Sequence, residues 1–202
     1  MNILAISGSP RKSRATETLI DEAIKGVRSI DPEALITKVC LIDYDIRHCL
    51  NCLKCRDTET EEPYVRCTIR DDMDRLYDII DNADAYIIGN PLHSGYVTGL
   101  ISVFLERIVW CFAEPKGSVM GIRGIPKPRN PKLRRLGTII TNAKVPPAFK
   151  MFCNDAEKQI KAVMKSCLNA KATASLYAGA IELRGVERYM TRAYNMGQKL
   201  AG

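Results

Sequence analysis

The stretch Asn2-Ile3-Leu4-Ala5-Ile6-Ser7-Gly8-Ser9-Pro10-Arg11-Lys12-Ser13 is a short apolar run that stops at a Gly-Ser turn. Helical spacing follows at once, with Leu19, Ile20, Ala23, Ile24 and Val27 on one face of residues 15–27. A strand that turns through glycine into a helix leaves the first helical N–H groups unpaired and aimed at one spot, where an anion is stabilised. Gly8 permits the tight turn, Ser9, Ser13 and Thr16 offer hydroxyl groups, and Arg11 or Lys12 supplies positive charge. The spacing matches neither G-x-x-x-x-G-K-[ST] nor G-x-G-x-x-G. A serine-rich helix cap with no ligand would read the same way.

Four more apolar runs read as strands, at 35–42, 83–89, 136–141 and 173–178. Helical patterns fall between and after them at 71–81, 97–112, 149–168 and 186–201. Helix 97–112 is apolar nearly all round, which suits burial or a contact between subunits. Residues 114–135, rich in Pro, Gly and positive charge, read as a long loop. Strands alternating with helices imply an α/β fold with a parallel sheet covered on both faces. Five strands in this rhythm fit the flavodoxin-like order 2-1-3-4-5. Ligands of such sheets bind beyond the carboxyl ends of the strands, which selects the loops after Ile6, Gly89 and Thr141.

The chain of 202 residues suits a single domain, 1–202, with residues 43–70 as a Cys-rich insertion after the second strand. The N-terminal apolar run is too short for a signal peptide or a membrane span, so a soluble, cytoplasmic protein is expected. Thirty Lys and Arg against 23 Asp and Glu give a net charge of +7. That balance suits nucleic acid, a nucleotide or an acidic partner, and equally an ordinary solvated surface. Of eight Cys, four cluster as Cys49-x2-Cys52-x2-Cys55-x11-Cys67. Three thiols within seven residues are what a loop wrapping a [4Fe–4S] cube requires, with Cys67 the nearest fourth ligand. Zinc usually takes two separated Cys-x2-Cys hooks, and redox-active or free thiols would also fit. Cys40, Cys111, Cys153 and Cys167 stand alone and read as packing residues.

Taken together, Gly8-Ser9-Pro10-Arg11-Lys12, the compact Cys series, the run Cys67-Thr68-Ile69-Arg70-Asp71-Asp72-Met73, Asn90-Pro91-Leu92-His93-Ser94-Gly95-Tyr96 and Phe104-Leu105-Glu106-Arg107 resemble the NAD(P)H-dependent FMN reductase superfamily. Within it the resemblance is to the iron–sulfur flavoproteins, and it spans roughly the first 110 residues in the family's order. The resemblance implies a flavodoxin fold with FMN held by three loops, and assembly as a homodimer or homotetramer. It implies that Ser9, Arg11, Ser13 and Thr16 hold the FMN phosphate, with a backbone N–H at Ala15 in place of the family's Asn side chain. Asn90, Pro91, Leu92, His93, Ser94 and Gly95 would lie along the flavin ring, and Thr141-Asn142 would form the third wall. Cys49, Cys52, Cys55 and Cys67 would hold the cluster, although eleven residues between the last two exceed the family's usual handful.

Other features read as structure first. Asp71-Asp72 at a helix start is expected to cap it. Trp110 and Phe112 read as core or subunit interface, and His93 as a flavin contact or proton carrier. The basic run Arg123, Lys127, Arg129, Lys132, Arg134 and Arg135 suits an acidic ferredoxin, the extra phosphate of NADPH or plain solvation. No reader helix or aromatic platform accompanies it, so nucleic acid is not expected. The leading expectation is an electron-transfer oxidoreductase in which a [4Fe–4S] cluster and FMN exchange electrons with ferredoxin, NAD(P)H, quinone, oxygen or peroxide. The alternatives are a cluster-free NAD(P)H-dependent FMN or quinone reductase and a zinc-stabilised nucleic-acid-binding module.

Overall fold

Apolar runs without polar alternation are what strands buried on both faces require, and they build the central sheet. In the computed structural model, which describes residues 1–202, five strands pair in parallel, the three inner ones buried on both faces and the two outer ones partly exposed. They are β1 (Asn2–Ser7), β2 (Leu35–Cys40), β3 (Ala85–Pro91), β6 (Arg134–Thr141) and β7 (Ala170–Ala178), in the spatial order β2-β1-β3-β6-β7. Counted within the sheet this is the expected order 2-1-3-4-5 and the flavodoxin-like topology. Register is continuous where it matters, with Ser7 beside Gly89 and Pro91 beside Thr141. The three carboxyl-terminal loops therefore open at one edge.

Successive side chains of a strand point to opposite faces, so each strand feeds two cores. Ile3, Ala5, Ile87 and Ile139 face α1 (Ala15–Ile30) and α7 (Met190–Ala201). Leu4, Ile6, Tyr86 and Ile88 face the other way, toward α3 (Tyr77–Asn82), α4 (Gly99–Phe112) and α5 (Asp155–Leu168). Helix α4 buries Ile101, Phe104, Leu105, Arg107, Ile108, Cys111 and Phe112, while Trp110 is only half-buried. No helix is long and apolar enough to cross a membrane.

Several boundaries differ from the sequence reading. Much of the expected 114–135 loop is an antiparallel hairpin, β4 (Ala113–Val119) with β5 (Ile122–Pro128). Met120 and Gly121 both take positive φ, the backbone that a two-residue hairpin turn demands. Its Pro and Gly residues mask the period of two, so the strands are invisible to pattern alone. The helical stretches 71–81, 149–168 and 186–201 each begin as a 3-10 turn, at Asp72–Arg75, Pro147–Phe152 and Glu187–Tyr189. Between β2 and α3 the chain is mostly irregular, with a 3-10 turn at Leu41–Asp43 and one short helix, α2 (Lys54–Asp57).

Four of the six residues of the basic run are engaged inside the fold, while Arg123 and Lys127 on the hairpin are exposed. Arg134 is fully buried and donates to the carbonyls of Ala83, Asp81 and Leu168 and to the Asp81 carboxylate. Arg129 bonds the carbonyls of Cys55 and Thr58, Lys132 pairs with Asp84, and Arg135 donates to the Leu200 carbonyl. Charge that looks solvated in sequence is spent on tying turns to the sheet.

Helices α1 and α7 meet backbone to backbone. A Cβ at Gly26 would stand 2.0 Å from the Tyr194 carbonyl oxygen, and one at Gly197 would stand 1.9 Å from that of Ala23. Gly197→Ala should therefore push the helices apart and cost about 1–3 kcal/mol, measured as a lower midpoint in denaturant unfolding.

Candidate functional site

The turn after β1 is held in place before any ligand arrives. The Gly8 N–H donates to the Gly89 carbonyl, and the Thr98 hydroxyl donates to the Gly8 carbonyl. A Cβ on Gly8 would lie 2.2 Å from Ile101 Cγ1, so only glycine lets α4 press on this turn. Ser9 Oγ accepts from the Arg11 N–H and donates to the Arg11 carbonyl, which curls the loop back on itself. Ser13 takes a left-handed backbone and gives its N–H to the buried Glu17 carboxylate.

Helix α1 then starts at Arg14 with no side-chain cap. An uncapped helix start leaves N–H donors and the positive end of the helix dipole open to an anion. Lys12 is taken by an ion pair with Asp43, whereas Arg11 and Arg14 pair with no carboxylate. The loop thus offers open N–H groups, two unpaired guanidinium groups and the Thr16 hydroxyl, which is hydrogen-bonded to Thr141 Oγ1 at 2.8 Å.

A cavity of about 490 Å³ opens over this helix start. Its walls include Ser9, Arg11, Ala15, Thr16, Pro91, Leu92, His93, Thr141 and Asn142, drawn from all three selected loops. Asn90, Ser13, Ser94 and Gly95 stand outside the lining. Asn90 is buried beneath it, where Oδ1 accepts from the Thr98 N–H and Nδ2 donates to the Pro91 carbonyl. Ser94 and Gly95 form the positive-φ turn that closes the His93–Tyr96 bridge, and the Gly95 carbonyl accepts from Ala156 N–H. Arg14, Ala143, Ile181 and Glu182 also line the cavity. Arg14 was adjacent to the motif and legible as a base at a helix start. Ile181 and Glu182 were not, because they arrive from the short helix α6 (Ile181–Arg184) through backbone bonds to Asn142 and Ala143.

The Cys segment forms a second locality along α4. Arg107, on that helix, is buried with Asp71, and its guanidinium donates to both carboxylate oxygens and to the Arg47 carbonyl. Asp71 also accepts from the N–H groups of Arg47 and Met73, so it caps the following turn as expected. Burial works against its charged form, but Arg107 and the two N–H donors outweigh it and hold the carboxyl below its ordinary range. Residues 47 and 71, at the two ends of the Cys segment, are thereby pinned together.

Cys49 and Cys52 are exposed, Cys55 is half-buried and Cys67 is buried. Cys52 Sγ lies 3.7 Å from Thr68 Oγ1, and the Cys67 N–H donates to the Tyr77 hydroxyl. Cys111, read from sequence as a lone packing residue, lies beside Cys55 and 3.6 Å from the same Tyr77 hydroxyl. Nothing in the spacing of Cys111 signals this, since it comes from α4. The neighbouring Cys111 thiol holds the Cys55 thiol down, to about 6, against opposing burial.

Whether these residues suit a sulfur-ligated centre turns on two observations. No three His, Cys, Asp or Glu side chains converge closely enough to hold a metal ion. The residue types are those such a centre takes, four thiols in one segment, but the thiols stand apart, from exposed Cys49 and Cys52 to buried Cys67, and do not fit it as they lie. Two of the three buried side-chain polar atoms that lack any partner are Arg107 Nε and Arg129 Nε, both on residues that hydrogen-bond backbone carbonyls of the Cys segment.

Residues 1–121 match the family model described as NADPH-dependent FMN reductase. An iron–sulfur flavoprotein of Clostridioides difficile is 32% identical over 108 residues, covering 53% of this chain and 45% of that protein. One from Archaeoglobus fulgidus is 34% identical over 107 residues, covering 53% of this chain and 48% of the relative. The match thus spans about half the length of these curated relatives. The solved structure of an NAD(P)H:quinone oxidoreductase from Methanothermobacter marburgensis shares the fold, with a TM-score of 0.71 at 12% identity over 98% of each chain.

Asp71→Asn should leave the Arg107 guanidinium buried without its counter-charge, costing about 3–5 kcal/mol. The wild-type contribution exists above the unfolded carboxyl pKa and is lost as pH falls through the depressed folded value. Denaturant unfolding should accordingly show the gap between wild type and Asp71→Asn narrowing in acid.

Proposed function

Because the chain belongs to the NADPH-dependent FMN reductase family, we propose that it is an FMN-dependent oxidoreductase whose cavity over α1 holds the flavin. The observation that carries this reading is the uncapped start of α1, opening into a cavity at the switch point of the sheet. FMN, when bound, supplies reversible two-electron chemistry that can also proceed one electron at a time.

The chain's own groups do the holding. The N–H groups of Ala15 and Thr16, the Thr16 hydroxyl and the side chains of Arg11 and Arg14 receive the phosphate, with Ser9 and Ser13 shaping the loop around it. Leu92 and Pro91 give the ring an apolar wall, His93 closes its edge, and Thr141 and Asn142 line the far side. Asn90, held between Pro91 and Thr98, fixes that wall without touching the cavity.

The finer proposal is an iron–sulfur flavoprotein with Cys49, Cys52, Cys55 and Cys67 as ligands to a [4Fe–4S] cluster. Support comes from the Cys spacing and the relatives' names. Electrons would be exchanged with an external partner such as ferredoxin, NAD(P)H, a quinone, oxygen or peroxide, in a homodimer or homotetramer. A second reading, a cluster-free NAD(P)H-dependent FMN or quinone reductase, is favoured by the separation of the thiols.

Anaerobic purification with quantitation of FMN, iron, acid-labile sulfide and zinc tests these readings. About one FMN per chain is expected, with iron and sulfide in equal amounts; FMN with neither supports the cluster-free enzyme, and protein without FMN refutes both. Thr16→Val removes a hydroxyl bonded to a charged phosphate and should weaken FMN binding by about 1.5–3 kcal/mol, read by flavin fluorescence titration.

A further inference from the structure

Glu17 is a carboxylate buried beside the anion-binding turn, and the holding of a phosphate described above gives it no part. It stands on α1 three residues after Arg14, a spacing at which an acid and an arginine ordinarily pair along a helix. No such pair forms, and Lys12 of the same turn goes to Asp43. Both carboxylate oxygens are committed to the fold instead. Oε2 accepts from the Ser13 N–H at 3.0 Å, and Oε1 accepts from the Cys40 thiol at the end of β2, with Sγ 3.7 Å away.

These two bonds bear on the turn and on its charge. Ser13 sits at φ +52°, a left-handed backbone that a residue with a Cβ rarely adopts. The bond from its N–H to Glu17 holds it there, one residue before the uncapped start of α1. The Cys40 thiol keeps the other oxygen turned toward β2, and Glu17 accordingly forms no part of the cavity wall. Released from both partners, the same carboxylate would be free to pair with Arg14 and to set a negative charge where an anion is to sit.

We infer that Glu17 is a positioning residue of the anion site, bracing Ser13 in its left-handed turn and leaving Arg11 and Arg14 free for the flavin phosphate. The inference rests on the flavin reading above and concerns only the phosphate end of the cavity. The brace requires an acceptor for the Ser13 N–H and does not require a charge. A carboxylate near a bound phosphate opposes it, so an amide at this position should serve at least as well.

The test compares the full chain, freed of flavin, as wild type, Glu17→Met and Glu17→Gln. Each is titrated by fluorescence with FMN and with riboflavin, which lacks the phosphate, after circular dichroism has shown it folded. Glu17→Met keeps the side-chain volume but loses the acceptor, and should bind FMN about tenfold more weakly. Its riboflavin binding should stay at the wild-type level. Glu17→Gln, whose amide oxygen still accepts from Ser13, should bind FMN as tightly as wild type or more tightly. Glu17→Met that binds FMN like wild type, or weakens FMN and riboflavin by the same factor, would overturn the inference. So would Glu17→Gln that has lost the wild-type preference for FMN over riboflavin, an arm that decides the matter if Glu17→Met does not fold. Each of these results leaves the flavin reading standing, because wild type still prefers FMN. Wild type that binds FMN no better than riboflavin would overturn the placing of the phosphate and the inference together.

Discussion

The buried pair of Arg107 and Asp71 is the constraint on which the second half of the candidate site depends. A guanidinium and a carboxylate removed from water must satisfy one another closely, and here they also absorb the backbone of Arg47 and Met73. The cost of burying them is offset only in this geometry. The long irregular segment between β2 and α3 is therefore closed at its neck, although it has little secondary structure of its own. Asp72 reinforces the closure by accepting from the Asp45 N–H.

Helix α4 joins that neck to the cavity. Its N-terminal cap, Thr98, holds the Gly8 carbonyl, and Ile101 presses on the same turn. Arg107 and Cys111 follow on the same helix, where they meet Asp71, Cys55 and the Tyr77 hydroxyl. At about 1.5 Å per residue, its 14 residues span roughly 21 Å. One rigid, mostly buried element thus sets the spacing between the anion-binding turn and the thiols. Its nearly all-round apolar composition is the cost of sitting between the sheet, the Cys segment and the hairpin.

Much of the first locality was legible because it is local. A glycine turn between an apolar strand and an amphipathic helix reports its own geometry, and Ser9, Arg11, Ala15 and Thr16 do line the cavity. Pro91, Leu92, His93, Thr141 and Asn142 were reachable from the topology, since strand ends at a switch point converge by rule. Asn90, Ser13, Ser94 and Gly95 were harder. Their side chains or backbones serve the loop itself, and motif spacing does not separate a residue that faces a cavity from one that braces it.

The sequence by itself determined the alternation of strands and helices, the parallel sheet and the turn at Gly8, because hydrophobic period and helix-start chemistry act over a few residues. It also brought four thiols into one segment. Only the tertiary structure decided that Cys111 lies beside Cys55, that Ile181 and Glu182 close the cavity, and that Arg129, Lys132, Arg134 and Arg135 of the basic run tie turns to the sheet. Those outcomes depend on side chains from distant elements competing for the same buried donors and acceptors. Burial, and not composition, decided whether Arg107, Arg129 and Arg134 face solvent or hold the fold.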